Sequence, residues 1–205
     1  MENFYDQWLK ESERIEKIIA DSPRVARSKD LKWTRTRQDH SAALMIAPET
    51  GFPTGGSLMM KAEIPAGWHT GKHVHGEEGI YIEQGEGFLA LDDCRYNFRK
   101  GTIFHVPYRS VHQLFNTGKE AVTYMSGLAW PLEASIYMGK IEEIEDAREH
   151  SAQALSDFPA EASQYWPTDG RRISMHEEQF VLSGERKHGA TYFMMGRSGK
   201  DNGFK

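Results

Sequence analysis

The chain has 205 residues, 39% of them hydrophobic and 27% charged, which is enough for one core-forming domain and short of two of ordinary size. Its 25 Lys+Arg against 30 Asp+Glu give a net charge of −5, which excludes a surface built on general attraction to phosphates, so no nucleic-acid partner is expected. The longest apolar stretch, Ala42 to Ala47, is too short to cross a bilayer, and the acidic start Met1-Glu2-Asn3 has no basic-then-apolar signal pattern behind it; a cytoplasmic protein without a membrane partner is expected.

In residues 1–30, Phe4, Trp8, Ile15, Ile18 and Ile19 recur at spacings near three and four, the stripe of an amphipathic helix that Asn3 caps and Ser22-Pro23 stops. Residues 31–130 change to short β-rich runs punctuated by Gly and Pro: 31–34, 42–46, 57–64, 79–83, 88–91, 103–106, 111–115 and 121–129. Such a series predicts an all-β sandwich or barrel that ends at Pro131. In residues 131–205 the acidic run 141–150 reads as a helix with a solvated face, 156–172 is loop-like, and 179–182 and 190–195 read as two further strands. Without a repeat or a clear linker, this tail is expected to pack on or complete the barrel.

The single cysteine, Cys94, leaves no intrachain disulfide and no cysteine-based zinc site, so a metal would rely on carboxylates and the nine histidines. The histidines concentrate between Gly67 and Gly85, where His73-Val74-His75 places two imidazoles on one face of a strand. A second block runs from Gly101 to Asn116; Pro107 closes one strand and His112 sits on the next.

These two blocks resemble the paired motifs of the cupin superfamily. Gly67, His73, His75, Glu78 and Gly85 fit the first motif; Gly101, Pro107, His112 and Asn116 fit the second, and the fifteen residues between the blocks match the family's shortest spacing. The resemblance implies a mainly β fold, a double-stranded β-helix or jelly-roll barrel, with an N-terminal helix and a partly helical C-terminal extension added. It further implies a divalent metal held by His73, His75, Glu78 and His112. Two positions depart from the pattern. Arg109 stands where the second motif has Gly, so the turn is expected to avoid positive φ. Only Gly76 and Glu77 separate His75 from Glu78: counting back from Gly85 makes Glu78 the ligand, whereas counting forward from His75 reaches Gly79 and leaves no carboxylate.

Neutral imidazoles plus a hard carboxylate suit Fe(II), here favoured, or Mn(II), Ni(II) or Zn(II). The residues around the first motif are similar to the gentisate and hydroquinone dioxygenase branch, whose members often carry two cupin domains. The reading is therefore an Fe(II) dioxygenase acting on a small hydroxylated aromatic or carboxylate, either half of a two-barrel chain or a homodimer. Under it His69 or Arg109 orients the substrate or moves a proton; the ordinary alternatives are an exposed loop histidine and a surface salt bridge. His105 is a secondary candidate, and Trp68, Tyr81, Phe104, Phe115, Tyr124 and Trp130 either line a pocket or fill the core. A non-redox metal-dependent isomerase or lyase, and a small-molecule-binding barrel without catalysis, are the other function classes.

Overall fold

The computed structural model describes residues 3–158, 164, 165, 167, 171–179, 181–183 and 191–193, the last two stretches as backbone only. Helix α1 (Phe4–Asp21) begins where the Asn3 side-chain oxygen accepts the N–H groups of Tyr5 and Asp6 at 2.9 and 3.0 Å, and it stops one residue before Pro23. It buries none of its residues; Phe4, Trp8, Ile15, Ile18 and Ile19 are all exposed.

Ten strands follow: β1 (Ser41–Ile46), β2 (Leu58–Ile64), β3 (Trp68–His69), β4 (Lys72–Val74), β5 (Glu78–Gln84), β6 (Glu86–Leu91), β7 (Cys94–Arg99), β8 (Thr102–Val106), β9 (His112–Asn116) and β10 (Val122–Leu128). After them come α2 (Trp130–Ser135), β11 (Glu142–Glu145), β12 (Arg148–Glu149), α3 (Ala152–Ser156) and β13 (Ser174–His176), then a separate hairpin of β14 (Val181–Ser183) and β15 (Thr191–Phe193). One sheet runs β1-β2-β10-β5-β8-β13; the other runs β11-β4-β9-β3-β12, with β6 between β9 and β7. All pairings are antiparallel, and the two sheets form the expected jelly-roll barrel.

Side-chain alternation fixes what faces inward. On β5, Glu78, Ile80 and Ile82 are buried while the residues between them are not, and on β10 the buried set is Val122, Tyr124 and Ser126. These meet Leu89, Leu91, Phe104 and Leu114 in the barrel core. Strand β6 is covered on both faces: its Phe88 and Ala90 turn outward under Leu155 and Phe158, with Phe88 stacked on Phe115 at 4.5 Å. That explains its unbroken apolar run. The second motif's Asn116 ties loop to barrel; its amide nitrogen donates to the Ile64 and Glu120 carbonyls at 2.9 and 2.8 Å.

Three expectations change. Residues 141–150 form strands β11 and β12, paired with β4 and β3, and no helix. As a helix the run would set Glu142 against Asp146 and Glu145 against Glu149 one turn apart, like charges that disfavour it, while the open edges of β4 and β3 offer unpaired backbone groups. Residues 31–34 make only a single bridge, Thr34 to Ala42, and β13 was not foreseen. The expected strands 179–182 and 190–195 lie partly outside the described residues; within these, β14 and β15 fall on them and Glu177–Gln179 is a 3₁₀ turn. No helix among the described residues is long and apolar enough to cross a membrane.

One buried acid lies in the turn before β1. Asp39 is 1% exposed and accepts the Tyr124 hydroxyl at 2.6 Å. Burial pushes its carboxyl up to about 7, against the Tyr124 hydrogen bond, and the nearby charges of Glu78 and Glu143 add to the rise. The folded state thus holds a proton that the unfolded chain releases near 3.8, so this group makes stability fall as pH rises from about 4 to about 7. Denaturant titrations across that window are expected to show a shallower pH slope for Asp39→Asn than for the unaltered protein; identical slopes would refute the assignment.

Candidate metal centre

Strands β4 and β9 lie antiparallel with His73 opposite His112. His75 shares the face of His73, two residues on, and Glu78 opens β5 on its inward face. One ligand atom from each of the four side chains lies within 4.8 Å of the others, and all four residues are at most 3% exposed. The structure thus brings Glu78, and not Gly79, to the histidines.

Backbone carbonyls orient the rings. The Nδ1 atoms of His73, His75 and His112 stand 2.9, 2.9 and 3.0 Å from the carbonyl oxygens of Gly71, Gly76 and Ser110. A ring that donates from Nδ1 presents a bare lone pair at Nε2. All three Nε2 atoms are buried and without a hydrogen-bond partner, and those of His75 and His112 lie 3.4 and 3.3 Å from Glu78 Oε2. Ser126 donates its hydroxyl to the other carboxylate oxygen, Oε1, which leaves Oε2 turned toward the rings. Three lone pairs and a carboxylate converging without a donor repel one another unless a cation is shared among them, so the residues fit a divalent ion.

The electrostatics treat the rings unequally: burial would lower His75, but Glu78 beside it, the Gly76 carbonyl and Glu133 raise it. Burial, then the neighbouring His112 and His75, push His73 down to about 3, so it is neutral and ready to ligate near pH 7. Burial alone would raise Glu78, but His112 and His75 held against it lower its carboxyl well below the usual range.

The other predicted residues fall outside the cluster. His69 is buried on β3, with Nδ1 2.7 Å from the Thr70 carbonyl and 2.8 Å from Gln113 Nε2, and with Nε2 3.7 Å from Glu145. His105 on β8 lies 3.3 Å from Glu77. Arg109 corrects an expectation: its φ is 64°, in the left-handed region, at the third position of a turn closed by the Ser110 N–H on the Pro107 carbonyl at 3.1 Å. The strain, on the order of 1–2 kcal/mol, is offset where its N–H donates to the His75 carbonyl at 2.9 Å. Its guanidinium holds Glu142 and reaches the Lys140 carbonyl at 3.3 Å. Lys140 and Arg109 keep the Glu142 carboxyl down at about 2. Of the six aromatic candidates, Phe104, Phe115 and Tyr124 are core, and Tyr81 lies on β5 with its hydroxyl 3.3 Å from Glu177. Trp130 lines a cavity of about 150 Å³ that reaches the cluster at His75.

Sequence reasoning missed Ser126, whose only signal is its place two residues from buried Tyr124 on a strand. It also missed Glu133, which α2 carries over Gly76.

A jelly-roll barrel with three histidines and one carboxylate buried at one end is the arrangement the cupin motifs imply. Residues 60–128, a third of the chain, match a family model described as a cupin domain. An uncharacterized protein of Methanocaldococcus jannaschii is 32% identical over 62 residues, 29% of this chain and 50% of that protein, so the match spans half the length of the relative. A salicylate 1,2-dioxygenase from Pseudaminobacter salicylatoxidans superposes with a TM-score of 0.51 at 14% identity, over 87% of this chain and 62% of that one, a likeness of fold alone. A polyketide cyclase from Streptomyces resistomycificus superposes with a TM-score of 0.46 at 15% identity, over 56% of this chain and 93% of that one.

Ser126→Ala removes the donor that turns Glu78. Titration with Zn(II) or Co(II) is expected to show affinity about 10–100-fold weaker, with the fold intact by circular dichroism; unchanged affinity would mean Ser126 does not position the carboxylate.

Proposed function

We propose that this protein is a metal-dependent cupin in which His73, His75, Glu78 and His112 hold a divalent first-row ion, Fe(II) favoured. The observation that carries this is the convergence of three buried, unpartnered Nε2 atoms on Glu78. We propose further that it is a dioxygenase acting on a small hydroxylated aromatic or carboxylate. An ion held by these four residues would have room left for substrate and dioxygen. An ion there supplies Lewis acidity and, as Fe(II), reactivity toward dioxygen beside a chelating substrate.

The chain's own residues do the rest. Gly71, Gly76 and Ser110 carbonyls hold the ring tautomers, and Ser126 holds the carboxylate. Leu58, Met60 and Trp130 keep the approach at His75 apolar and exclude water. His69 is proposed as a base rather than an acid: burial lowers its pKa, so at neutral pH the ring is uncharged and carries no extra proton to give.

Elemental analysis of anaerobically purified protein is expected to give about one iron per chain, with oxygen uptake on a panel of hydroxylated aromatics. His73→Ala is expected to lose both metal and uptake. Zinc or nickel without uptake would move the reading to a non-redox isomerase or lyase, and retained uptake in His73→Ala would sink it.

A homodimer is proposed on a separate observation. Among the described residues the apolar stripe of α1 is left exposed, and the outer face of the β5–β10 sheet carries an apolar depression of about 430 Å³ lined by Met59, Tyr81, Ile103 and Met125. The helix carries Asp6, Glu11, Glu13, Glu16 and Asp21 against Lys10, Arg14 and Lys17, a balance unsuited to an anionic lipid surface. Five half-exposed large side chains offer on the order of 500 Å² per helix, so two exchanged helices and the surfaces they cover reach the ~1,600 Å² of a standard interface. Sedimentation is expected to show a dimer that Trp8→Glu with Ile15→Glu converts to monomer without metal loss. A monomeric full chain, or a dimer indifferent to both substitutions, would refute it.

A further inference from the structure

The cavity of about 150 Å³ at His75 has a charge pattern that the dioxygenase reading does not use. Its walls are apolar, with Leu44, Leu58, Met60, Leu128, Trp130 and Ile141 supplying most of them. Its charged lining residues are both acids, Glu77 and Glu133, and no Lys or Arg lines it. Glu77 is turned to His105 at 3.3 Å. Of the cations adjoining lining residues in the chain, Arg37 pairs with Asp146 at 2.8 Å, Lys61 with Glu83 at 2.6 Å and Lys140 with Glu142 at 2.7 Å, and Arg109, whose N–H bonds the His75 carbonyl, is held by Glu142 as well. The Arg109 guanidinium, a candidate for orienting the substrate, is therefore held on β11.

Glu133 is different. Among the described residues its carboxylate has no hydrogen-bond or ion-pair partner, although the residue is only partly exposed. It is fixed in place by α2, where its N–H donates to the Ala129 carbonyl at 3.0 Å and its own carbonyl accepts the N–H groups of Met138 and Gly139, each at 2.8 Å. Gly76, next to the ligand His75, is what lets it approach: a Cβ built at that position would collide with both oxygens of the Glu133 carboxylate. Glycine leaves room there for an acceptor, at the one place where the cavity meets the cluster.

We infer that this cavity takes an uncharged or cationic single-ring ligand that donates a hydrogen bond to Glu133, and that it rejects rings bearing a carboxylate. This deepens the proposed function and rests on it for the role of the metal. The size follows from volume: an apolar cavity of about 150 Å³ holds one benzene ring. The charge preference follows from Glu133 and from a lining without Arg or Lys: an ion held by the cluster would bring positive charge that Glu78 already meets in part, whereas Glu133 sets like charge against a ligand carboxylate. The hydrogen-bond donor follows from the acceptor: an ionised carboxylate accepts only, so an O–H or N–H completes it and a ring lacking one leaves it unpaired. A phenol, diol or aromatic amine meets all three conditions, whereas salicylate and gentisate meet only the first and third.

The test separates this inference from the metal reading. Metal stoichiometry of the Zn(II)-loaded protein is measured first; no bound metal would overturn the proposed function alone. Calorimetric titration of the loaded protein is then expected to show catechol binding at least about tenfold more tightly than 2,3-dihydroxybenzoate. Phenol against benzoate on the metal-free protein is expected to give the same order, so the inference stays exposed to refutation whatever the metal does. Glu133→Gln is expected to narrow the ratio severalfold with metal content unchanged. Gly76→Ala, which displaces the tip of a flexible side chain, is expected to act in the same direction. Equal binding of the two ligands, preference for the carboxylate, or a ratio unmoved by Glu133→Gln would overturn the inference.

Discussion

Three imidazole lone pairs and a carboxylate pressed together out of water form an arrangement that proteins avoid unless something positive joins them. Everything around the cluster serves to make that arrangement the only one available. The carbonyls of Gly71, Gly76 and Ser110 accept at Nδ1 and so fix where each lone pair goes. None of these carbonyls belongs to a side chain, so the orientation is written into the backbone path of β4, of β9 and of the turns at their ends. The closeness of the three rings, with centroids 4.2 to 5.0 Å apart, is a result of that path and not of attraction between them.

The carboxylate is placed by a different rule. Glu78 faces inward because Ile80 and Ile82 do, and the alternation of a half-buried strand carries a charged residue into the barrel along with the apolar ones. A slip of one residue would put Gly79 there and send Glu78 outside. Pairing of Ile80 with Phe104 and with Ser126 on the two neighbouring strands fixes that register, so the chemistry at the end of the strand is held by packing further along it.

Such rules explain what the sequence made legible. The histidine pair on β4 follows from a period of two, and the barrel strands follow from apolar runs between Gly and Pro. Glu78 remained ambiguous because spacing across a loop has no period to count by; only the strand beyond it decides. The segment 141–150 was misread because its composition is helical while its fate is set by edges elsewhere in the barrel. Arg109 was misread because a hydrogen bond to His75 and an ion pair with Glu142 outweigh the backbone preference of the residue itself. Asp39, Ser126 and Glu133 come from a turn, a distant strand and a short helix, and no local pattern brings them together.

The placement of β11 and β12 also bears on how the chain reaches its final form. The strands that carry His69 and His73 find ladder partners in residues that lie far downstream, beyond the last strand of the motif-bearing region. Contacts of such long sequence separation close late, because the loop entropy between the partners must be lost before they reward it. A ribosome-bound chain that has emerged only through β10 therefore holds His69 and His73 on strands with one edge still unsatisfied, while His112 on β9 already has its partners. The four ligands are thus all made before residue 113, while the sheet edge beside His73 is closed only by residues 142–145, so the metal centre and the frame that shields it come from opposite sides of the barrel's last strand.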